Sequence, residues 1–90
     1  MATEPMNRKK LLGRLSRGKL RNVAFGDMVG LVRGFGVELD RIHGSHHVFR
    51  HAVVSEMLNL QEVSGEAKPY QLRQFLRIVE RHNLRLEDEA

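Results

Sequence analysis

Four of the five histidines in this 90-residue chain fall between Arg41 and His51: His43, His46, His47 and His51. Imidazole exchanges protons at about pH 6.5 in its ordinary form, and it is also a common metal ligand. Three uses of the cluster compete. The first is none, with all four as surface strand residues. The second is a metal site, but the pattern H-x-x-H-H-x-x-x-H lacks the helical spacing of H-E-x-x-H. Adjacent His46 and His47 would point to opposite faces of a strand, and the chain has no Cys to complete a ligand set. The third is acid–base catalysis on RNA. A His just after a tight turn would be exposed and firmly held, suited to taking a proton from a ribose 2′-OH or giving one to a leaving 5′-oxygen. Arg41, Arg50 or Lys68 could then hold the phosphate and stabilise charge on its oxygens. These features permit that chemistry without specifying it, and non-catalytic nucleic-acid binding stays open.

The cluster needs a scaffold, and the pattern of apolar residues predicts one. Val37–His43, His46–His51 and Met57–Val63 read as strands, separated first by Gly44-Ser45 and ended by Ser64-Gly65. Connections this short favour antiparallel pairing. The neighbours Val48 and Phe49 must face opposite ways, and the sequence does not say which faces inward. Before the strands, Phe25, Met28, Val29 and Val32 have the i, i+3, i+4, i+7 spacing of a helix face. Gly26 is the expected N-cap there, and Gly34 and Gly36 offer stop positions. After the strands, Pro69 suits a first helical turn, and Leu72, Phe75, Leu76 and Val79 form a second stripe ending near His82-Asn83. Two helices on one face of a three-stranded sheet is an α+β solution to burial. Met28, Val32, Leu72, Phe75, Leu76 and Val79 are then expected to be buried together.

Composition narrows the setting. Hydrophobic residues make up 41% and charged residues 29%, a globular balance for one domain. No apolar run approaches the ~18 residues of a membrane span. The N-terminus lacks a signal-peptide core, so a cytoplasmic protein is expected. The net charge of +4 favours polyanionic partners. It is unevenly placed: Arg8, Lys9, Lys10, Arg14, Arg17, Lys19 and Arg21 precede the first Asp, with Glu4 the one acid among them, while the tail carries Glu87, Asp88 and Glu89. Leu11, Leu12 and Leu15 allow a short helix in this basic segment, weakened by Gly13 and Gly18. Residues 1–24 thus read as a basic extension, 25–84 as the domain and 85–90 as an acidic tail. The extension could be a solvated arm, an RNA contact or a contact for a protein partner.

The run Gly44-Ser45-His46-His47-Val48-Phe49 resembles the G-S-H-H-[apolar]-F signature of the HicA family of toxins. Gly34-Phe35-Gly36-Val37 before it, and Lys68-Pro69-Tyr70-Gln71-Leu72-Arg73-Gln74-Phe75-Leu76 after it, are also similar to members of that family. The likeness spans about residues 23–84. It departs from the family at Ala52, where Pro is frequent, and at Leu60-Gln61-Glu62, where many members carry further positive charge. The resemblance implies a fold like the double-stranded-RNA-binding domain and metal-independent cleavage of mRNA without a cofactor. It also implies neutralisation by a HicB-like antitoxin. It makes His46 the catalytic histidine, with His47 supporting at most; taken with the neighbouring cations, Arg41, His47, Arg50 and Lys68 are the expected RNA contacts. The alternatives are a non-catalytic RNA-binding module of the same fold, or a domain that only binds a protein partner.

Overall fold

The Asn7 side chain starts the first helix by accepting hydrogen bonds from the backbone N–H groups of Lys9 and Lys10, at 2.8 and 3.3 Å. That satisfies two of the donors a helix N-terminus leaves unpaired. The structure is a computed structural model that describes residues 7–87. Its elements in order are α1 (Arg8–Ser16), α2 (Phe25–Gly34), β1 (Val37–His43), β2 (His46–His51), β3 (Val54–Val63), β4 (Glu66–Ala67) and α3 (Pro69–Arg81).

The basic extension is not a solvated arm over these residues. Leu11 and Leu15 of α1 are buried, and so are Leu20 and Val23 in the turn that follows. Burying a leucine contributes roughly 1.5–3 kcal/mol, which outweighs the ~1 kcal/mol that Gly13 costs within the helix. Among the described residues the core therefore begins at Leu11, fourteen positions before the first residue of the stripe at Phe25.

Helix α2 starts two residues earlier than its capping chemistry suggests, with Ala24 rather than Gly26 as N-cap. The cause is tertiary. Ala24 bridges Glu66, the Phe25 N–H donates to the Gly65 carbonyl at 2.9 Å, and the Ala67 N–H donates to the Val23 carbonyl at 3.0 Å. This pairing keeps the chain extended up to Ala24. At the other end, Gly36 adopts φ +78°, and a Cβ there would lie 2.7 Å from a Glu87 carboxylate oxygen. The conformation calls for glycine, whereas the carboxylate ends a flexible, exposed side chain that can move aside.

The four strands form one antiparallel sheet in the order β1-β2-β3-β4. Gly44-Ser45 is a two-residue turn with positive φ at Gly44 alone, whereas Ser64 and Gly65 both have positive φ. These are the II′ and I′ patterns of tight hairpins. β3 begins at Val54, three residues before its expected start, because the Ala52-Val53 turn is tight and His51 pairs directly with Val54. The short β4 was not expected.

Phe49, Leu58 and Leu60 face inward and share one core with Met28, Leu31 and Val32 of α2 and with Leu72, Phe75 and Ile78 of α3. Phe35 meets Phe75 edge-on, with ring centroids 5.4 Å apart. Of the expected α3 stripe, Leu76 and Val79 are only half-buried at its margin, and Ile78 takes a central place. The tail also joins in: Leu86 is buried, and the Glu87 N–H donates to the Gly34 carbonyl at 2.7 Å. The helices leave the β1 edge uncovered, so Leu39 and Ile42 stay exposed. No helix among the described residues is long and apolar enough to cross a membrane.

Candidate active site

The histidines enter the structure through the Gly44-Ser45 hairpin. His43 ends β1, His46 begins β2, and the two form the first pair of the ladder. Directly paired residues share a face, with Cβ atoms about 4.5–5.5 Å apart. That face is the one the helices leave open, because the inward positions on β2 are His47 and Phe49.

His46 is half-buried, and its Nδ1 lies 3.3 Å from Asn59 Oδ1 on β3. An amide oxygen only accepts. In neutral imidazole this contact places the proton on Nδ1, donating to Asn59, and leaves Nε2 with a free lone pair. The ring is thereby oriented, and its second nitrogen is prepared to accept a proton. An imidazole in that state can act as a general base without a carboxylate partner.

His47 points the other way. Its ring packs on Phe25 with centroids 4.7 Å apart, and its Nδ1 lies 3.3 Å from the Ser45 carbonyl oxygen. The two adjacent histidines therefore cannot act on one atom from one side. His51 is occupied at the opposite end of β2, where its Nδ1 accepts from the Val53 N–H at 3.2 Å and closes the next turn. Among the described residues, no three His, Cys, Asp or Glu side chains gather as metal ligands would.

The expected cationic partners are dispersed. Arg41 and Arg50 both reach Asp40, at 3.1 and 3.7 Å. Arg50 stands four residues along β2 from His46, roughly 13 Å by strand rise, and borders a separate hollow at the Ala52-Val53 turn. Lys68 is nearer to the histidine end. The Glu62 N–H donates to the Ser45 carbonyl at 3.0 Å, and Glu62 pairs with Ala67. Ser45, Glu62 and Ala67 thus line up across the sheet, and Lys68 follows directly at the start of α3. Its ammonium group lies 5.9 Å from the centre of the exposed Tyr70 ring.

The polar side chains at this end give no sign of their hydrogen bonding in the sequence. Asn59 and Gln61 alternate with Leu58 and Leu60, which marks them as outward-facing, but only the register sets them opposite Val48 and His46. Gln61 Nε2 donates to Ser45 Oγ at 3.2 Å. Its backbone N–H, beyond the reach of short β4, donates instead to Gln71 Oε1 at 2.6 Å. Gln71 is the one buried polar side chain among the described residues, and its Nε2 donates to Tyr70 Oη at 3.4 Å. Through these bonds α3 is fixed to the strand beside the histidine turn. A glutamine within an apolar helical stripe gives no such signal in sequence.

On this geometry two histidines stand side by side on the open face at the first hairpin, and one of them is oriented by a hydrogen bond. Set against known families, characterised proteins and solved structures, the chain has no significant match in any of the three.

Proposed function

We propose that this protein is a metal-independent endoribonuclease toxin of the HicA type, with its active site at the open-face end of the first hairpin. The helix–strand–strand–strand–helix order of α2, β1, β2, β3 and α3 is the order of a double-stranded-RNA-binding domain, to which α1 and β4 are additions. In this reading His46 Nε2 removes the proton from a ribose 2′-OH. The 2′-oxygen then attacks the adjacent phosphorus, the bond to the 5′-oxygen breaks, and the leaving oxygen takes a proton. The products are a 2′,3′-cyclic phosphate and a free 5′-OH. His43, on the same face and directly paired with His46, is the group placed to give that second proton. Lys68 is the cation best placed to approach the phosphate, and a HicB-like antitoxin is the partner that would neutralise the activity.

The observation that carries the reading is the hydrogen bond from His46 Nδ1 to Asn59 Oδ1, which orients an accessible imidazole at the G-S-H-H turn. The test is cleavage of a mixed-sequence RNA in EDTA by the wild-type protein and by His46→Ala. General acid–base catalysis by a placed side chain contributes about 10²–10⁴-fold, so the variant should lose at least a hundredfold while keeping its circular dichroism spectrum. A folded His46→Ala protein that cleaves at the wild-type rate would refute the assignment. Restoration of EDTA-quenched activity by one divalent ion would replace it with metal chemistry.

A further inference from the structure

Seven of the fifteen Lys and Arg residues lie between Arg8 and Arg21, a stretch without an acid. From Asn22 to Ala90 the chain carries eight basic and ten acidic residues, a formal charge of −2 with His neutral. The positive excess of the protein therefore resides on α1 and the turn that follows it. The open sheet face cannot supply the same attraction, because Arg41 and Arg50 are both drawn to Asp40.

This charge is organised into a groove of about 490 Å³ lined by Lys9, Lys10, Gly13, Arg14, Arg17 and Lys19. Lys10, Gly13, Arg14 and Arg17 share one side of α1 by helical spacing, while Leu11 and Leu15 enter the core. Arg14 has a structural task. Its guanidinium donates to the carbonyl of Arg21, and to that of Asn22 at 3.3 Å, which draws the following turn against the helix as a wall. Gly13 leaves the floor low: a Cβ there would lie 3.4 Å from Arg17 Nη1. Glycine is unfavourable in mid-helix, and here it opens the backbone to close approach. Five cations lining one groove repel each other unless a polyanion occupies it.

We propose that this groove binds the phosphodiester backbone of RNA, with Lys9, Lys10, Arg17 and Lys19 each meeting a phosphate and Gly13 letting the strand lie close to the helix. That the backbone is RNA rests on the reading given above, whereas its being a chain of phosphates rests on the groove alone. Helix α1 packs on α2, on the covered side of the sheet, so the groove and His46 lie on different sides of the domain. It is an anchoring surface, separate from the site of proton transfer.

The experiment is fluorescence anisotropy of a labelled 20-nucleotide RNA across a salt series, in a His46→Ala background so that cleavage does not interfere. Four phosphate contacts on a single strand correspond to a log–log salt slope of about 2.8. The variant Lys9→Ala/Lys10→Ala/Arg17→Ala/Lys19→Ala should flatten the slope by about that amount and bind much more weakly at low salt. A charge-matched control, Arg33→Ala/Arg73→Ala/Arg77→Ala/Arg85→Ala, should keep the steep slope. Gly13→Leu, which fills the groove at constant charge with a better helix former, should also lose affinity, and melting curves check that each variant is folded. Equal losses from both quadruple variants, or undiminished binding by Gly13→Leu, would overturn the groove. RNA binding that follows this pattern in a protein whose wild type cleaves nothing would support the groove and remove the nuclease reading.

Discussion

Replacing Asn59 by Asp places a carboxylate where an amide oxygen now stands 3.3 Å from His46 Nδ1. The fold should accept the change, because Asn59 is exposed and the two side chains have nearly the same shape. A full negative charge at that distance, screened as in water, favours the imidazolium by about 1.3 kcal/mol, equivalent to about one pH unit. The sign follows from the role. A general base works only when unprotonated, and the new charge holds the proton more tightly. The acid limb of the pH–rate profile should therefore move to higher pH by about one unit, with the plateau rate retained. Asn59→Ala separates orientation from charge: it removes a neutral hydrogen bond worth about 0.5–1.5 kcal/mol. It should lower the plateau by roughly two- to tenfold, with little movement of the limb. Single-turnover cleavage of one defined RNA between pH 5 and 9 reads both effects. Nitrogen-15 NMR of the His46 ring gives a readout that needs no activity, since Asn59→Ala should abolish the preference for the Nδ1–H tautomer. An acid limb that stays in place or moves to lower pH in Asn59→Asp would refute His46 as the base. A tautomer unchanged in Asn59→Ala would refute the positioning role.

Three further expectations concern stability. Leu15→Ala should destabilise by about 2–5 kcal/mol, as buried leucines do, and lower Tm by at least about 8 °C for a domain of this size. Removing residues 1–22 deletes Leu11, Leu15 and Leu20 together, comparable to the whole stability of a small domain, so it should leave the remainder unfolded by circular dichroism; a cooperative melt near the wild-type Tm would show that α1 is dispensable. Between β3 and the end of α3, Glu56 accepts from His82 Nε2 at 2.8 Å and from Arg81 Nη1 at 2.7 Å. First the His82 hydrogen bond and then that of Arg81 hold the Glu56 carboxyl below its ordinary value. A carboxyl depressed in the folded state contributes stability that is present above its unfolded value of 4.5 and lost as the pH falls through the folded one. Tm measured from pH 6 to pH 3 should fall more steeply for the wild type than for Glu56→Gln, and parallel curves would show that this contact contributes nothing.

Much of the scaffold was legible because it depends on local chemistry. The limits of β1 and β2 follow from Gly44-Ser45, whose turn needs a positive φ that glycine supplies, and from Gly36, which stops α2. Pro69 marks the start of α3 for a similarly local reason. The divergence of His46 and His47 follows from the two-residue period of any strand. Capping preference alone points to Gly26 as the N-cap of α2, whereas Ala24 holds that place through its pairing with Glu66 of β4, a long-range contact. The early start of β3 is hidden because Val54 is separated from Met57 by polar Ser55 and Glu56, of which Glu56 is drawn inward by Arg81 and His82.

By itself the sequence determined the α+β order, the hairpin that presents the histidines and the concentration of positive charge ahead of Asn22. These depend on residue type, spacing and backbone preference, which act over a few neighbouring positions. Only the tertiary structure decided that Phe49 rather than Val48 turns inward, that α1 belongs to the core, and that Asn59 is the partner of His46. Each of those outcomes compares alternatives with the same local pattern. A strand exposes two faces, a short helix interrupted by Gly13 can pack or fray, and an outward polar residue on β3 has several possible neighbours on β2. The choice falls to the arrangement that buries Phe49 with Leu58 and Leu60 and covers Leu11 and Leu15. Once that burial sets the register, Asn59 reaches His46.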